Sequence, residues 1–225
     1  GCAERLIGCS LELGGKNPIL ILRDADLEKA AEGAVRACFS NAGQLCVSTE
    51  RMFVADQIYD RFMERFVART EAMSVGASLE WGLDMGSLIS QTQLDAVVAQ
   101  VEDAKAKGAR VLAGGRHRPD LGPFVFEPTI LEGVTPEMTC FGHETFGPVV
   151  SVYRFHDEGE AIARANDGDY GLNAAIYSKD GARARAIAQQ IKCGTVNVNE
   201  AFGATFASID SPMGGMRESG LGRRQ

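Results

Sequence analysis

The sequence predicts an α/β fold with three layers, in which helices cover a largely parallel sheet. Short apolar runs that suit buried strands alternate with stretches of helical spacing between residues 17 and 199. Strands and helices that alternate in this way are typical of parallel sheets. The chain has 225 residues, of which 45% are hydrophobic and 24% are charged, so it can build one substantial core or two small ones.

The first half of the chain predicts two strands and two helices. Each strand is an apolar or β-branched run, and each helix carries apolar residues at helical spacing. Asp24 or Asp26 can act as the N-cap of the first helix. In chain order, these elements are a strand at 17–22, a helix that ends at 41–43, a strand at 49–55 and a helix over about 57–73.

Cap and turn residues divide the second half in the same way. Ser90-x-x-Gln93 and Asp157-x-x-Glu160 have the spacing of a capping box, which predicts the start of a helix. Gly108 follows the first of these helices and predicts its end. In chain order, the elements are a helix at 90–107, a strand at 109–113, an extended segment or strand pair at 124–131, a strand at 149–155, a helix at 157–166, a strand at 172–178, a helix at 181–192 and a strand at 194–199.

The segment after Glu200 differs from the rest of the chain. It is rich in Gly, Ser and Phe and shows no periodicity, which predicts a long surface loop. Long loops in compact domains are often functional. We therefore expect this segment to contribute to a site.

Charge and cysteine usage limit the partners and the compartment. A net charge of −7 argues against nucleic acids and anionic membranes as partners, and no apolar run approaches membrane-spanning length. The six cysteines form no Cys-x-x-Cys pair and there are three histidines, so no metal site is expected. Scattered cysteines without a signal peptide favour a cytoplasmic protein. Because the chain does not start with Met, we expect it to be part of a longer protein.

Nucleotide-binding and hydrolase motifs fail on inspection. Gly14-Gly15-Lys16 suggests a phosphate-binding loop, but the pattern needs Gly at position 10 and Ser or Thr at position 17, where Ser10 and Asn17 stand. No Gly-x-Gly-x-x-Gly follows a strand, and no Gly-x-Ser-x-Gly occurs. A dinucleotide-binding domain is therefore not expected within this chain.

Cys46 is the candidate nucleophile. It follows Gly43 and Gln44 where a helical pattern has ended, so the thiol can lie on a bend and face a cleft. A thiolate in such a place can attack an electrophilic carbon. The alternative is a small, buried apolar residue. Cys38 lies on the apolar stripe of the preceding helix and is expected in the core.

Two glutamates are further candidates. Glu12 lies between two leucines and before Gly-Gly, where a partly buried carboxylate can act as a base. The alternative is a surface charge beside a strand. Glu144 precedes Thr-Phe-Gly-Pro, whose sharp Gly-Pro turn can direct its carboxylate. The alternative is a simple Gly-Pro turn before a strand.

Five motifs follow one another along the chain, and their order carries more information than each motif alone. They are Glu-Leu-Gly-Gly-Lys-Asn-Pro at 12–18, Gly-Gln-Leu-Cys at 43–46, Glu-Thr-Phe-Gly-Pro-Val at 144–149, Gly-Gly at 214–215 and Ser-Gly-Leu-Gly-Arg at 219–223. Together they resemble the catalytic half of the NAD(P)-dependent aldehyde dehydrogenase superfamily, and within it the succinate-semialdehyde dehydrogenase-like branch.

The resemblance implies a domain organisation. Residues 1–225 are expected to form the catalytic domain, with 199–225 as the substrate loop, and the coenzyme-binding and oligomerisation segments are expected to lie outside the chain. The resemblance also implies a homo-oligomeric parent protein.

The resemblance also implies a mechanism. Cys46 adds to an aldehyde, the thiohemiacetal loses hydride to the nicotinamide of NAD or NADP (NADP slightly favoured), and a thioester remains. Glu12 activates the water that hydrolyses this thioester. Glu144 holds the nicotinamide ribose and Phe146 packs beside the nicotinamide ring. The chain alone is expected to bind NAD(P) negligibly and to be inactive, because the coenzyme domain and its oxyanion-hole asparagine are missing.

The resemblance leaves the substrate open. Phe202 and Phe206 are expected to wall the substrate site. The characterised succinate-semialdehyde members carry an arginine where this chain has Ser40, and a serine where it has Ala207. Arg51 or Arg217 can replace that cation for succinate semialdehyde.

Three alternatives to a succinate-semialdehyde dehydrogenase follow from the same residues. The first is a dehydrogenase of neutral aliphatic aldehydes, which needs no cation for a distal carboxylate. The second is a CoA-acylating enzyme, against which Glu12 argues, since those members generally lack this glutamate. The third is a non-catalytic relative that kept the fold.

Overall fold

Buried apolar runs form the centre of the computed structural model, which describes residues 1–78 and 81–223. The five residues of the Asn17–Ile21 strand are all buried, as are the seven of Thr49–Ala55. The strands in chain order are β1 (Leu11–Glu12), β2 (Asn17–Ile21), β3 (Thr49–Ala55), β4 (Arg110–Ala113), β5 (Thr129–Glu132), β6 (Val149–Phe155), β7 (Tyr170–Gly171), β8 (Asn173–Tyr177), β9 (Thr195–Val198), β10 (Met216–Arg217) and β11 (Gly220–Leu221).

Seven of these strands form one sheet in the order β4-β5-β6-β3-β2-β8-β9. Neighbouring strands are parallel except β4 and β5, which are antiparallel. Two small antiparallel pairs, β1 with β11 and β7 with β10, lie outside this sheet. The prediction of a three-layer α/β fold with a largely parallel sheet is confirmed.

Helices flank the sheet, and their N-caps follow the sequence. Ser90 and Asp157 accept hydrogen bonds from the backbone N–H of Gln93 and Glu160, as the capping boxes predict. Asp26 caps the first helix, while Asp24 pairs with Arg183 instead. The helices are α1 (Leu27–Phe39), α2 (Tyr59–Glu71), α3 (Gln91–Ala106), α4 (Thr139–Gly142), α5 (Glu158–Ala165), α6 (Gly181–Ala188) and α7 (Gly203–Ala207).

The main core lies between the sheet and the helices α1 and α2. Phe39 stacks on Phe66, with ring centroids 6.1 Å apart, and Phe66 stacks in turn on Phe62. Burying each of these side chains contributes about 1.5–3 kcal/mol. Cys38 is buried in the same core, as its place on the apolar stripe of α1 predicts.

The segment after Glu200 is more ordered than predicted. It contains the short helix α7 and the strands β10 and β11, and Ser219 within it is fully buried. The expected long loop therefore contains three short elements that the sequence analysis did not predict. Strands of two residues have no periodicity of their own, since they form by pairing with β7 and β1.

Two other boundaries differ from the prediction. Helix α6 ends at Ala188, because Gln189 forms its C-cap and tighter turns follow. The segment 124–131 contains a regular strand only at Thr129–Glu132, preceded by an isolated bridge between His117 and Phe126. Within the described ranges, no helix is long and apolar enough to cross a membrane.

Candidate active site

The turn that carries Cys46 begins where α1 ends. Asn41 and Ala42 both adopt the left-handed conformation, with φ of 52° and 54°, and Gly43 follows with φ of 69°. A Cβ on Gly43 would lie 2.0 Å from the carbonyl oxygen of Gly147. Glycine is therefore required here, and the cysteine turn packs directly against the turn that follows Glu144-Thr-Phe.

Buried side chains hold the backbone of the cysteine turn. Asn17, at the start of β2, donates from Nδ2 to the carbonyl oxygens of Cys46 and Ser48, both at 2.8 Å. Its Oδ1 accepts the backbone N–H of Asn173 at 3.0 Å. Asn173 also donates from Nδ2 to the carbonyl oxygen of Val47 at 3.2 Å. Two adjacent strands thus fix three successive peptide groups, which begin at the carbonyl of Cys46.

Cys46 is partly exposed and packs against a small apolar cluster. The cluster is formed by Val47, Leu172 and Met213, with Leu45 and Phe202 against it. Three other cysteines are buried. Burial raises the pKa of Cys38 and Cys140 and raises the pKa of Cys193 to about 12, so these thiols stay protonated.

Gly14 and Gly15 seat the carboxylate of Glu144. The backbone N–H of Gly15 donates to Oε1 at 2.7 Å. Gly14 has φ of +84°, and a Cβ there would lie 2.3 Å from Oε2. Burial raises the pKa of the Glu144 carboxyl above its ordinary value. The Gly-Gly pair is thus explained by close approach of a carboxylate from another turn.

A buried ion pair lies beneath the Glu144 turn. Lys16 Nζ lies 2.5 Å from Oε2 of Glu50, and both residues are at most 5% exposed. Glu50 also accepts the backbone N–H groups of Thr145 and Phe146. One signal for this pair is visible in the sequence, since Glu50 is a charged residue within a predicted buried strand. Its partners could not be deduced without the register of β2 and β3.

Glu12 lies on β1, which pairs with β11 through Glu12 opposite Gly220. The backbone N–H of Leu13 donates to the carbonyl oxygen of Ser219 at 3.0 Å. Glu12 is partly buried, and β1 leads straight into the residues that contact Glu144, Glu50 and the Cys46 carbonyl. The segment 12–17 therefore carries Glu12 and contacts the turns of both Cys46 and Glu144.

The start of the segment after β9 is braced by two asparagines. Asn197 donates from Nδ2 to Oδ1 of Asn173 at 2.9 Å and accepts from the Thr205 hydroxyl at 3.2 Å. Asn199 exchanges two 2.9 Å hydrogen bonds with the backbone of Ser178. These contacts brace the backbone around the start of this segment.

Phe202 and Phe206 form an edge-to-face pair with ring centroids 6.3 Å apart. Phe202 packs against the cluster beside Cys46, whereas Phe206 is 52% exposed. The structure thus brings Phe202 to the cysteine turn, and Phe206 continues that aromatic surface outward.

The two arginines suggested as a replacement cation both bind backbone carbonyls. Arg51 is buried and donates from Nε to the carbonyl oxygen of Lys16, and its other nitrogens donate to backbone carbonyls at the end of α5. Burial lowers the pKa of Arg51 to about 10. The suggestion is therefore wrong for Arg51. Arg217 is exposed and donates from Nη1 to the carbonyl oxygens of Asn166 and Gly168, and its role as the cation stays a prediction.

In the part of the chain that the structure describes, no group of three or more His, Cys, Asp or Glu side chains could hold a metal ion.

Comparisons with known proteins agree on one family. A model described as the aldehyde dehydrogenase family matches residues 1–225. The chain is 52% identical over 223 residues to a provisionally named succinate-semialdehyde dehydrogenase [NADP(+)] of Mycolicibacterium smegmatis, covering 99% of the chain and 43% of that protein. It is 40% identical over 222 residues to a 3-sulfolactaldehyde dehydrogenase of Pseudomonas putida, covering 99% of the chain and 45% of that protein.

Solved structures give the same result. The structure of an aldehyde dehydrogenase from Bacillus cereus in complex with NAD+ superposes with a TM-score of 0.92 at 37% identity, covering 99% of the chain and 44% of its own. Betaine aldehyde dehydrogenase of Staphylococcus aureus with NAD+ gives a TM-score of 0.90 at 36% identity, covering 98% and 44%. The chain thus spans less than half the length of these relatives.

Proposed function

This chain belongs to the aldehyde dehydrogenase family, and we propose that its full-length protein oxidises an aldehyde to a carboxylic acid with NAD or NADP. The observation that carries this proposal is the packing of two turns. The turn of Cys46 is fixed by Asn17 and lies against the turn of Glu144 and Phe146 through Gly43 and Gly147. The candidate nucleophile and the candidate cofactor contacts thus lie on two turns that touch each other.

Cys46 acts as the nucleophile. Its thiolate adds to the aldehyde carbon, forming a C–S bond and a thiohemiacetal alkoxide. The backbone N–H of Cys46 is one hydrogen-bond donor to that oxyanion. Collapse of the alkoxide breaks the C–H bond, hydride leaves, and a thioester remains on Cys46. When bound, the oxidised nicotinamide supplies the hydride acceptor.

Glu12 acts as the general base of the second step. It takes a proton from water, the hydroxyl adds to the thioester carbonyl, and the C–S bond breaks to release the carboxylic acid and the thiolate. The partly buried position of Glu12 on β1, next to the Gly14-Gly15 turn, supports this role.

The residues around Glu144 fit a nicotinamide nucleotide. The two oxygens of the Glu144 carboxylate can accept from the two hydroxyls of a ribose diol, and the Phe146 ring offers a surface on which a flat ring packs. Relatives support both coenzymes, since one is named for NADP+ and others were solved with NAD+. We favour NADP on the higher identity of the first.

Succinate semialdehyde is the proposed substrate, because the relatives at 52% identity carry that name. The chain itself favours a second candidate, a neutral aliphatic aldehyde. Ser40 stands where the branch has an arginine, Arg51 and Arg217 donate to backbone carbonyls, and Phe202 packs beside Cys46.

We assign residues 1–225 to the catalytic domain and 199–225 to a substrate loop. Residues 224 and 225 lie outside the described residues. The contacts of Phe202 with the cluster beside Cys46 support this assignment of the loop.

The test is oxidation by the full-length protein of succinate semialdehyde and of butanal, followed by nicotinamide absorbance. Cys46→Ser is expected to lower turnover by about a thousandfold or more, because a hydroxyl replaces the thiolate nucleophile. Cys9→Ser is the matched control, since Cys9 is exposed and outside the site. Unchanged turnover in Cys46→Ser, or a Cys46 inert to iodoacetamide at neutral pH, would contradict the proposal. The preferred aldehyde decides between the two substrates.

A further inference from the structure

Lys16 and Glu50 lie side by side where two adjacent parallel strands begin. Lys16 immediately precedes β2, Glu50 is the second residue of β3, and the register pairs Asn17 with Thr49. Their side chains are 5% and 3% exposed. Removing two charges from water is costly, so a pair in this position needs further hydrogen bonds to be tolerated.

Those hydrogen bonds come from the Glu144 turn. The backbone N–H of Thr145 donates to Oε2 of Glu50 at 2.9 Å, and that of Phe146 donates to Oε1 at 2.9 Å. Two successive backbone N–H groups thus converge on one carboxylate that also binds an ammonium group. The geometry resembles an anion-binding nest whose anion is a side chain of the protein.

The turn needs this support, because Phe146 has φ of 49°. A bulky residue in the left-handed region is strained and persists only where its surroundings hold it. The carbonyl side is held as well. Gln93 donates to the carbonyl oxygens of Thr145 and Phe146 at 3.0 and 2.9 Å, and Gln100 donates to that of Glu144 at 3.2 Å.

We propose that Glu50 is a positioning residue for the nicotinamide cofactor. Its carboxylate fixes the backbone N–H groups of Thr145 and Phe146. It thereby holds the Glu144 carboxylate against Gly14 and orients the Phe146 ring toward the proposed nicotinamide site. The inference rests on the proposed function, in which Glu144 and Phe146 contact the cofactor. It differs from the simpler role of Glu50 as a counter-ion of Lys16, since in that role the two N–H bonds would be incidental.

Two double variants separate the roles. Lys16→Met/Glu50→Gln and Lys16→Met/Glu50→Leu both remove the buried pair and leave no unpaired ammonium group. They differ above all in hydrogen bonding, because glutamine keeps a carbonyl acceptor for the N–H groups of Thr145 and Phe146 and leucine does not. The comparison therefore isolates the acceptor from the charge pair.

The measurements are amide hydrogen exchange at Thr145 and Phe146 and titration of NADPH and NADH, both in the full-length protein. The leucine variant is expected to exchange these two amides at least about tenfold faster than the glutamine variant. It should also bind the preferred nucleotide at least about tenfold more weakly, because the turn is misplaced. Equal exchange and equal affinity in the two variants would overturn the inference and leave Glu50 as a counter-ion.

Failure of the proposed function gives a different result. If the unaltered protein binds neither nucleotide, the cofactor role of Glu50 is overturned together with that function. The exchange difference between the variants would still be observed in that case, since it depends on the turn alone. If unaltered protein binds a nucleotide and the two variants bind it equally, the inference alone fails.

Discussion

The two proposed catalytic residues are held in very different ways. The turn of Cys46 is fixed by the side chains of Asn17 and Asn173, which are 2% and 1% exposed and belong to the central sheet. Glu12 lies on a strand of two residues outside that sheet, between Leu11 and Leu13, which are 42% and 57% exposed. The partner of its strand lies near the other end of the described chain.

This difference matches the demands of the two steps. Addition of a thiolate to a carbonyl requires a fixed approach, and groups on a rigid scaffold provide it. A base that acts on a water molecule tolerates more freedom, because the water can adjust its position. Weakly held elements are also those that open first, so β1 and β11 should be the more mobile side of the site.

Among the variants that test this comparison, Glu12→Gln should show the largest effect, and it tests whether Glu12 acts in a chemical step separate from that of Cys46. Loss of the base is expected to slow steady-state turnover by about a hundredfold to a thousandfold, because thioester hydrolysis loses its proton acceptor. Addition and hydride loss remain, so rapid mixing should still show a burst of reduced nicotinamide. Glu71→Gln, at the exposed end of α2, is the matched control. A lost burst would place Glu12 in the first step.

The same contrast decided what could be predicted from the sequence. The strands 49–55 and 149–155 have the predicted bounds, because most of their residues are apolar, β-branched or aromatic, a pattern that the sequence displays. The pair β1 and β11 was missed, because two residues carry no period and their partner is distant in the chain. The local sequence pattern was therefore informative for the long strands of the central sheet. It was uninformative for the two-residue strands, whose partners are distant in the chain.

The contacts within the site were harder to predict than its residues. Cys46, Glu12 and Glu144 were named from their motifs, and the structure places their segments together. The roles of Asn17 and Glu50 were missed, because each acts on peptide groups of another turn. Polar residues within predicted buried strands were the available signal, and their partners depend on strand register.

Asn17→Ala should have the next largest effect, on the rigid side. It leaves the carbonyl oxygens of Cys46 and Ser48 and the N–H of Asn173 without their partner. Unsatisfied buried groups cost about 1–3 kcal/mol each, and we expect a net loss of about 2–4 kcal/mol in the free energy of unfolding. Urea denaturation measures this loss.

The control for Asn17→Ala is Asn166→Ala. Asn166 also makes two side-chain hydrogen bonds to backbone groups, but near solvent, where water can replace them. We expect its loss to stay below about 1.5 kcal/mol. Equal losses in the two variants would mean that the cysteine turn is not held more firmly than the surface.

Gly220→Ala should have the smallest effect, and it should displace β1 and Glu12 without disturbing the turn of Cys46. Gly220 has φ of +140°, and a Cβ there would lie 2.0 Å from the carbonyl oxygen of Leu11, so β11 must move away from β1. We expect turnover to fall about tenfold, equivalent to about 1.4 kcal/mol, through the displacement of Glu12. The iodoacetamide reaction rate of Cys46 should stay unchanged, because the cysteine turn is held by Asn17 and Asn173 of the central sheet.

Gly108→Ala separates backbone strain from the clash in that experiment. Gly108 has φ of +101° with no atom within 4 Å of the added Cβ, and it follows α3, away from the site. A similar loss of turnover in Gly108→Ala would trace the effect to general destabilisation. If Gly220→Ala slowed the labelling of Cys46 as much as it slowed turnover, the two sides would be one mechanical unit. Turnover lost with labelling retained would instead show that the base can be displaced while the nucleophile stays in place.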